Sequence, residues 1–379
     1  MLAKHEMGVR FPSPAPVTNQ VTLLSDFFYF YAKITLVMNV DLLMMYQEID
    51  KRIKLISFHS LWKGFHPFSF AVYNDTLACF KGLMIDKPKE FIANTAIFFQ
   101  GEQVAMFRVD EDEDLDIITS KMVHEMFHAY QNEQHDQRFP NEIEALFKYE
   151  YTNRNISIKL KENQILHDLV KHGFSQDKWD QFLSLKKYRS IHHPYSLRYE
   201  SLIEQIEGTA NYIELSVLKL LNTEKYEKKI NYMLKHIINP HDLLPIRIAL
   251  YDSGALLLLM MKQQQISFNE EFTTEPFSLD LLQDVKYQDI EVNDLMQEVI
   301  DDYYQAIDDI IDSVKQQQPL TSGSFELKGL NVYNAKYYKG FIYTTYFLQY
   351  QDHDEEKTLF GNYLIKMKDY MITEVYQIS

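Results

Sequence analysis

Two histidines and a glutamate stand close together in the stretch KMVHEMFHAYQ, which runs from Lys121 to Gln131. His124 and His128 are four residues apart, so on a helix their rings share one face and can chelate a single ion. Glu125 would sit beside that ion rather than on it. This is the H-E-x-x-H spacing, in which the histidines bind zinc and the glutamate is a general base. The pattern therefore predicts a Zn²⁺ site with Glu125 as the catalytic base.

The H-E-x-x-H motif is unlikely to occur in this chain by chance. The chain has 13 histidines in 379 residues, and at that frequency an accidental H-E-x-x-H is expected about 0.03 times per chain. The alternative is a surface helix that carries two solvated histidines. We favour the metal site, because the motif falls on a predicted helix directly after a predicted β-hairpin. A hairpin strand in that place can align an extended peptide beside the metal.

The sequence next to the motif does not supply a third ligand. A compact three-histidine site would need a glycine and a histidine where this chain has Gln131 and Gln134. His135 comes one residue late, which turns it about 100° away on a helix. A glutamate further along the chain is therefore the better candidate for the third metal ligand. The segment from Arg198 to Glu214, RYESLIEQIEGTANYIE, contains four candidate glutamates. Helical spacing places three of these glutamates on one face of a helix together with Asn211: Glu200, Glu204 and Glu207. The fourth, Glu214, lies less favourably.

Part of this segment, Glu207-Gly208-Thr209-Ala210-Asn211, resembles the E-G-x-x-D pattern of thermolysin-like gluzincins, a family of zinc peptidases. The resemblance implies that Glu207 is the third zinc ligand, with Glu204 the next candidate. It also implies that Asn211 takes the place of a carboxylate that holds one ligand histidine, although an amide raises the basicity of that histidine less. Gly208 would let this helix approach the H-E-x-x-H helix closely.

The resemblance extends in islands over about half of the chain. The runs FIANTAIFFQGEQVAMF, VHEMFHAYQ, IEGTANYIE and YDSGALLLLMM are similar to those of a group of bacterial gluzincin-type proteins. This implies a zincin-like fold and a zinc-dependent metallopeptidase that hydrolyses a peptide or protein substrate. One alternative is a catalytically idle zincin-fold protein that binds or regulates a partner. A carboxylate–histidine iron site is a weaker alternative, since a di-iron bundle would need a second E-x-x-H.

Two further parts of such a site have several candidates. A tyrosine or histidine would stabilise the negative charge that develops on the substrate carbonyl. The candidates are Tyr251, Tyr212 and the pair His192-His193, although a pair before Pro194 is more simply a solvated loop. A hairpin strand, either Ala96–Phe99 or Val104–Phe107, would bind substrate by pairing with its backbone.

The composition narrows the partners and the compartment. The formal net charge is −16 and the pI about 5.3, which makes nucleic acid an unexpected partner. The single cysteine, Cys79, excludes a cysteine-rich metal site and is most simply a buried small hydrophobe. The longest strongly apolar run near the middle, Gly254 to Met261, is well under the ~20 residues of a membrane-spanning helix. We therefore expect a cytoplasmic protein that does not engage a membrane.

The hydrophobic patterning predicts an α+β fold in three parts. Residues 1–37, which include the Pro-rich segment GVRFPSPAPVTNQ, are expected to be a non-native or disordered leader. Residues 38–320 are expected to form a mainly helical zincin-like catalytic domain with one small antiparallel sheet or hairpin, Asn94 to Val109. Residues 321–379, rich in tyrosine, phenylalanine and threonine, are expected to form a C-terminal β module. The helix with the motif is predicted over Leu115 to Asn132, after an acidic run that suits a helix N-terminus.

Overall fold

The computed structural model describes residues 42–109, 114–268, 270, 272, 275–287, 293 and 295–378. The predicted leader, residues 1–37, lies outside the described residues, as does most of the acidic run before the motif helix. The fold is mixed α/β, with about half of it helical and two sheets. The chain separates into two compact units. The first comprises the described residues up to Asp136 together with Ala210–Ile230, and the second comprises Gln137–Thr209 and the residues from Asn231 onward.

The sheet of the first unit is larger than the predicted hairpin. Its five strands lie in the order β3-β2-β1-β5-β4. Neighbouring strands are antiparallel except β1 and β5, which pair in parallel through Ser69 and Val104. The bounds are β1 Ser69–Tyr73, β2 Leu77–Phe80, β3 Leu83–Asp86, β4 Thr95–Phe99 and β5 Glu102–Arg108. The expectation of an antiparallel hairpin is confirmed for β4 and β5, and the aromatic-rich stretch before it supplies the other strands.

Helix α3, Leu115–Glu133, packs on this sheet against β5 and β4. Its first turn is stabilised as the acidic run predicts: the Asp114 side chain accepts hydrogen bonds from the backbone N–H groups of Asp116 and Ile117, which satisfies two of the unpaired donors at a helix start. Lys225 lies 2.6 Å from carboxylate oxygens of both Asp114 and Asp116. The earlier helices are α1, whose described part is residues 42–53, and α2, Phe58–Leu61.

Most of the remaining chain is helical up to residue 314. The bounds are α4 Glu142–Lys148, α5 Asn153–His172, α6 Gln176–His192, α7 Pro194–Ile203, a π-helical turn Glu204–Gly208, α8 Thr209–Leu221, α9 Thr223–Ile237, a 3₁₀ turn Pro240–Leu243, α10 Arg247–Gln263, α11 Phe277–Asp280 and α12 Gln297–Val314. No helix among the described residues is both long and apolar enough to cross a bilayer.

A C-terminal sheet of seven strands belongs to the second unit. Its order is β10-β9-β6-β12-β11-β8-β7, and all of its pairs are antiparallel. Ile307, Ile311 and Val314 on one face of α12 form a core cluster with Leu364 of β11, so the apolar stripe of that helix is buried on the sheet. The bounds are β6 Thr321–Leu330, β7 Lys336–Tyr338, β8 Phe341–Thr344, β9 Phe347–Asp352, β10 Glu355–Phe360, β11 Asn362–Lys368 and β12 Met371–Ile378.

Two glycines let helices of the second unit touch through their backbones. A Cβ atom on Gly208 would lie 2.8 Å from the Cα of Gly254 in α10, and one on Gly254 would lie 3.0 Å from the Cα of Glu204. Real Cβ atoms essentially never make a contact of 2.8 Å, and a contact of 3.0 Å is tighter than most, so a side chain at either position would push the two backbones apart. The sequence had led us to expect Gly208 to serve the H-E-x-x-H helix. Its nearest neighbour is α10 instead.

Candidate metal centre

Helix α3 brings His124, Glu125 and His128 into one buried cluster. Their exposed fractions are 6%, 4% and 8%, so all three titratable side chains of the motif are buried. The alternative of a surface helix with two solvated histidines is therefore wrong. The possible ligand atoms of the three residues all lie within 4.8 Å of one another, so they form a group that could hold a metal ion.

The two imidazoles present the same ring atom to each other. His128 Nε2 lies 3.0 Å from His124 Nε2. Two nitrogens that bind one tetrahedral zinc at ~2.0–2.1 Å are separated by about 3.3 Å. The pair therefore needs to open by only a few tenths of an ångström to hold a zinc ion between its nitrogens. The separation of the two Nε2 atoms is therefore close to the one that two histidines on a single zinc ion require.

The other nitrogen of each ring faces an acceptor. Gln131 Oε1 lies 2.7 Å from His128 Nδ1, and Glu214 Oε2 lies 3.5 Å from His124 Nδ1. These acceptors favour the tautomer in which each Nδ1 carries the proton, which leaves the two Nε2 lone pairs pointing toward a common centre. With both protons on Nδ1, no proton bridges the 3.0 Å contact between the two Nε2 atoms, and a cation could lie there instead.

Glu214 is charged in spite of its burial. Burial acts to raise the pKa of Glu214, but Lys229, the contact with His124 and Lys121 outweigh it and bring that pKa to about 2. Lys229 Nζ lies 3.4 Å from Glu214 Oε1. Glu214 lies at Nδ1 of His124, on the side of the ring away from His128, where it would orient this histidine rather than bind an ion held between the two Nε2 atoms.

The sequence did not predict either contact of the histidine Nδ1 atoms. The role that the gluzincin resemblance implies for Asn211 stays a prediction, and the carboxylate beside His124 is Glu214, which helical spacing places less favourably than the other three glutamates. Gln131 was singled out only as a residue that excludes a third histidine. Its position three residues after His128 puts both on one face of α3, so the sequence did contain that signal.

Glu207 lies in the second unit on the π-helical turn Glu204–Gly208. Its side chain is buried, and its Oε1 lies 3.3 Å from Nη2 of Arg247. Single π-helical turns inside α-helices are frequent at functional sites. Its role as a metal ligand stays a prediction.

The other two glutamates on the predicted stripe are engaged in a buried ionic network of the second unit. Glu204 Oε2 lies 3.0 Å from Lys186 Nζ, and its Oε1 lies 3.3 Å from Lys159 Nζ. Glu200 pairs with the guanidinium of Arg189 through both carboxylate oxygens. These ion pairs give Glu200 and Glu204 a structural role and weaken them as alternatives to Glu207.

A tyrosine that the sequence did not single out lies near Glu125. Tyr73 ends strand β1 and is 1% exposed, and its buried hydroxyl has no hydrogen-bond partner among the described residues. Burial raises the pKa of this hydroxyl far above its ordinary range; Arg108 opposes that shift, and Glu125 adds to it. A buried phenol close enough to feel the charge of Glu125 is a candidate proton donor in this centre.

The donors proposed from sequence have other surroundings. Tyr251 lies in the second unit, where its hydroxyl is 3.5 Å from that of Tyr333. The pair His192-His193 is solvated as expected, with His192 exposed, but it lies at a junction of two helices rather than in a loop, because α6 ends at His192 and α7 begins at Pro194. His193 caps that junction and its Nδ1 lies 2.6 Å from Glu150 Oε2.

The protein is thus of mixed α/β fold and contains a buried His124-Glu125-His128 group that could hold a metal ion. Comparisons of the chain with models of known protein families, with curated proteins and with solved structures each found no match. The function is therefore argued from the site alone.

Proposed function

We propose that this protein is a zinc-dependent peptidase of gluzincin type. His124, His128 and Glu207 would hold the metal, and Glu125 would be the general base. The observation that carries the proposal is the buried histidine pair with its Nε2 atoms 3.0 Å apart and an acceptor at each Nδ1. Hydrolytic zinc sites keep three protein ligands and an open fourth position, and the glutamate within the motif serves their chemistry.

Three features support Glu207 as the third ligand. Its carboxylate is buried, it lies on a π-helical turn, and Arg247 holds its Oε1.

The chemistry requires a proton acceptor that stays beside the reacting water. A bound zinc would supply a Lewis acid that makes water acidic and polarises the substrate carbonyl. Glu125 accepts the proton from the attacking water and returns it to the leaving amine, as a general base and then a general acid. Its burial between the two histidines keeps bulk water from competing for that proton. The hydroxyl of Tyr73 would donate a hydrogen bond to the developing negative charge.

The sheet narrows the place where a peptide would bind. Strand β5, which contains Val104–Phe107, is paired on both sides, with β1 and with β4, so it cannot accept a further strand. Strand β4, which contains Ala96–Phe99, is the edge of the sheet and packs against α3. Phe98 on this edge is 67% exposed. We propose that a substrate peptide pairs with the backbone of β4.

Metal analysis of three proteins tests this function. The wild type should hold about one zinc per chain and cleave members of a broad peptide library. Glu125→Gln should hold the same zinc and lose at least 10²-fold in rate, whereas Glu207→Ala should lose the metal. Glu224→Gln is the matched control, because Glu224 is 77% exposed and pairs only with Lys228 among the described residues; it should change neither property.

Each of the other outcomes identifies a different error. A wild-type protein that cannot take up zinc would overturn the metal site. Stoichiometric zinc without cleavage of any peptide would leave the catalytically idle zincin-fold protein as the better description. Stoichiometric iron in place of zinc would favour an oxygenase-like site. Retention of zinc by Glu207→Ala would show that the third ligand is another residue.

A further inference from the structure

A cavity of about 160 Å³ lies in the second unit between α4, α12 and the C-terminal sheet. Six tyrosines contribute to its wall: Tyr149, Tyr151, Tyr199, Tyr303, Tyr304 and Tyr337. An engineered apolar cavity of about 150 Å³ binds one benzene molecule. The volume here therefore suits a ligand with a single ring, and tyrosine rings offer it stacked or edge-on contacts.

One cation on the wall of this cavity has no anion. Lys336 is partly buried, and its Nζ lies 4.2 Å from the centroid of the Tyr303 ring. Among the described residues no carboxylate pairs with it. Burial alone lowers its pKa, which is the expected sign for an ammonium group that loses water without gaining a counter-charge. A ligand carboxylate would supply that charge.

The other charged side chains of the cavity wall, Arg247 and Glu142, are already paired, except that one N–H of Arg247 has no acceptor among the described residues. Arg247 contacts Glu142 Oε1 and lies 3.3 Å from Glu207, and the second oxygen of Glu142 accepts a hydrogen bond of 2.8 Å from Tyr199. Glu142 is thus occupied and does not neutralise Lys336. Arg247 is one of the residues that line the cavity. Its buried Nε–H has no acceptor among the described residues. Buried donors without acceptors are uncommon in folded proteins.

We propose that this cavity is a binding site for a small aromatic monocarboxylate. The carboxylate would lie on the ammonium of Lys336 and serve the open donor of Arg247, and the ring would lie against the tyrosines. A neutral ring of the same size would lack the charge, and an aromatic ammonium would meet like charge. The site does not depend on the proposed peptidase activity, because the residues that would contact the ligand lie in the second unit and none of them is a proposed metal ligand. Its one link to the proposed metal centre is the contact of Arg247 with Glu207.

Calorimetric titration of the full chain tests the proposal with three probes of one size: benzoate, benzamide and benzylammonium. Benzoate should bind saturably, with at least tenfold higher affinity than benzamide, and benzylammonium should not bind. Lys336→Met, which keeps the apolar stem, should weaken benzoate binding at least tenfold, and Lys336→Arg should retain most of it. Lys339→Met is the control, because Lys339 follows the same strand, pairs with Asp308 and does not line the cavity; it should bind benzoate like the wild type.

The result that overturns the site is unsaturable benzoate binding, equal affinity for benzamide, or an equal loss in Lys336→Met and Lys339→Met. If Lys336→Met does not fold, the three probes on the wild type and the Lys336→Arg variant still decide. Titrations repeated with a zinc chelator separate this site from the metal centre: benzoate binding should persist when zinc is removed. A protein that binds benzoate but no zinc would support the cavity and refute the proposed peptidase.

Discussion

Replacing Glu214 by glutamine tests whether the candidate metal centre depends on a charge beside His124. Glutamine keeps the shape of the side chain and an oxygen that can accept from Nδ1, so the variant removes mainly the negative charge. Lys229, the other partner of Glu214, is 30% exposed and can turn to water. The fold should therefore persist, and the effect should fall on the metal.

The size of the effect follows from the geometry. Removing a group that orients a metal-bound histidine typically lowers metal affinity by 10–100-fold. The separation of 3.5 Å between His124 Nδ1 and Glu214 Oε2 is at the long limit of a hydrogen bond, so the interaction is mainly electrostatic. We expect a loss at the lower end of that range, about tenfold, which corresponds to about 1.4 kcal/mol of binding free energy.

Competition with a chromophoric zinc chelator at pH 7.5 measures this difference directly. Glu224→Gln makes the same change of charge at an exposed position and should bind zinc like the wild type. Equal zinc affinity in Glu214→Gln and the wild type would refute the orienting role of Glu214. An equal loss in both variants would show that net charge, rather than the contact with His124, sets the affinity. Circular dichroism melting of each variant checks that the fold is retained.

Four further predictions address catalysis and stability. Tyr73→Phe should retain zinc and lower the turnover number about 10²-fold, as for loss of one donor to a developing oxyanion; an unchanged turnover would remove Tyr73 from the mechanism. Phe98→Pro on the edge strand should raise the Michaelis constant at least tenfold by removing a backbone donor, whereas Phe98→Ala should change it less. Gly208→Ala should lower the free energy of unfolding in urea by about 1–3 kcal/mol, because its Cβ would lie 2.8 Å from α10; wild-type stability would contradict the close contact. Burial acts to raise the pKa of Glu200, but Arg189 and Lys159 lower it from 4.5 to about 2, so this contribution to stability is complete above pH 4.5 and is lost as the pH falls towards 2; Glu200→Gln should flatten the pH dependence of unfolding in that interval.

Local patterns in the sequence predicted the parts of the site that lie on one element. The H-E-x-x-H spacing placed His124, Glu125 and His128 on one helix, and the apolar runs around Gln100-Gly101 predicted the β4–β5 hairpin. Both depend on side-chain periodicity, which acts over a few residues. The parallel pairing of β1 with β5 could not be predicted in this way, because that register depends on contacts between segments more than thirty residues apart.

The roles of the glycines and glutamates in the second unit also could not be predicted from sequence, because they depend on contacts between distant segments. Glycine and alanine positions on a helix look alike in sequence, but only the contact between the π-helical turn and α10 shows why a side chain at Gly208 or Gly254 would not fit. The glutamates of the segment after Arg198 have similar spacing, yet Glu200 and Glu204 are neutralised by lysines and an arginine from α5 and α6. Charge pairing across helices decides the role of each carboxylate, and helical spacing alone does not encode it.

The division of the first unit into two separated stretches of chain has a consequence for synthesis. His124 and His128 leave the ribosome about 86 residues before Glu214, which at 5–20 residues per second is a delay of about 4–17 s. During that interval the nascent chain presents both imidazoles without the carboxylate that orients His124. Full affinity for the proposed zinc ion would therefore be reached only after Ala210–Ile230 has emerged and joined the earlier part of its unit. A chain released before this segment would contain the complete H-E-x-x-H motif and would bind zinc more weakly than the full chain.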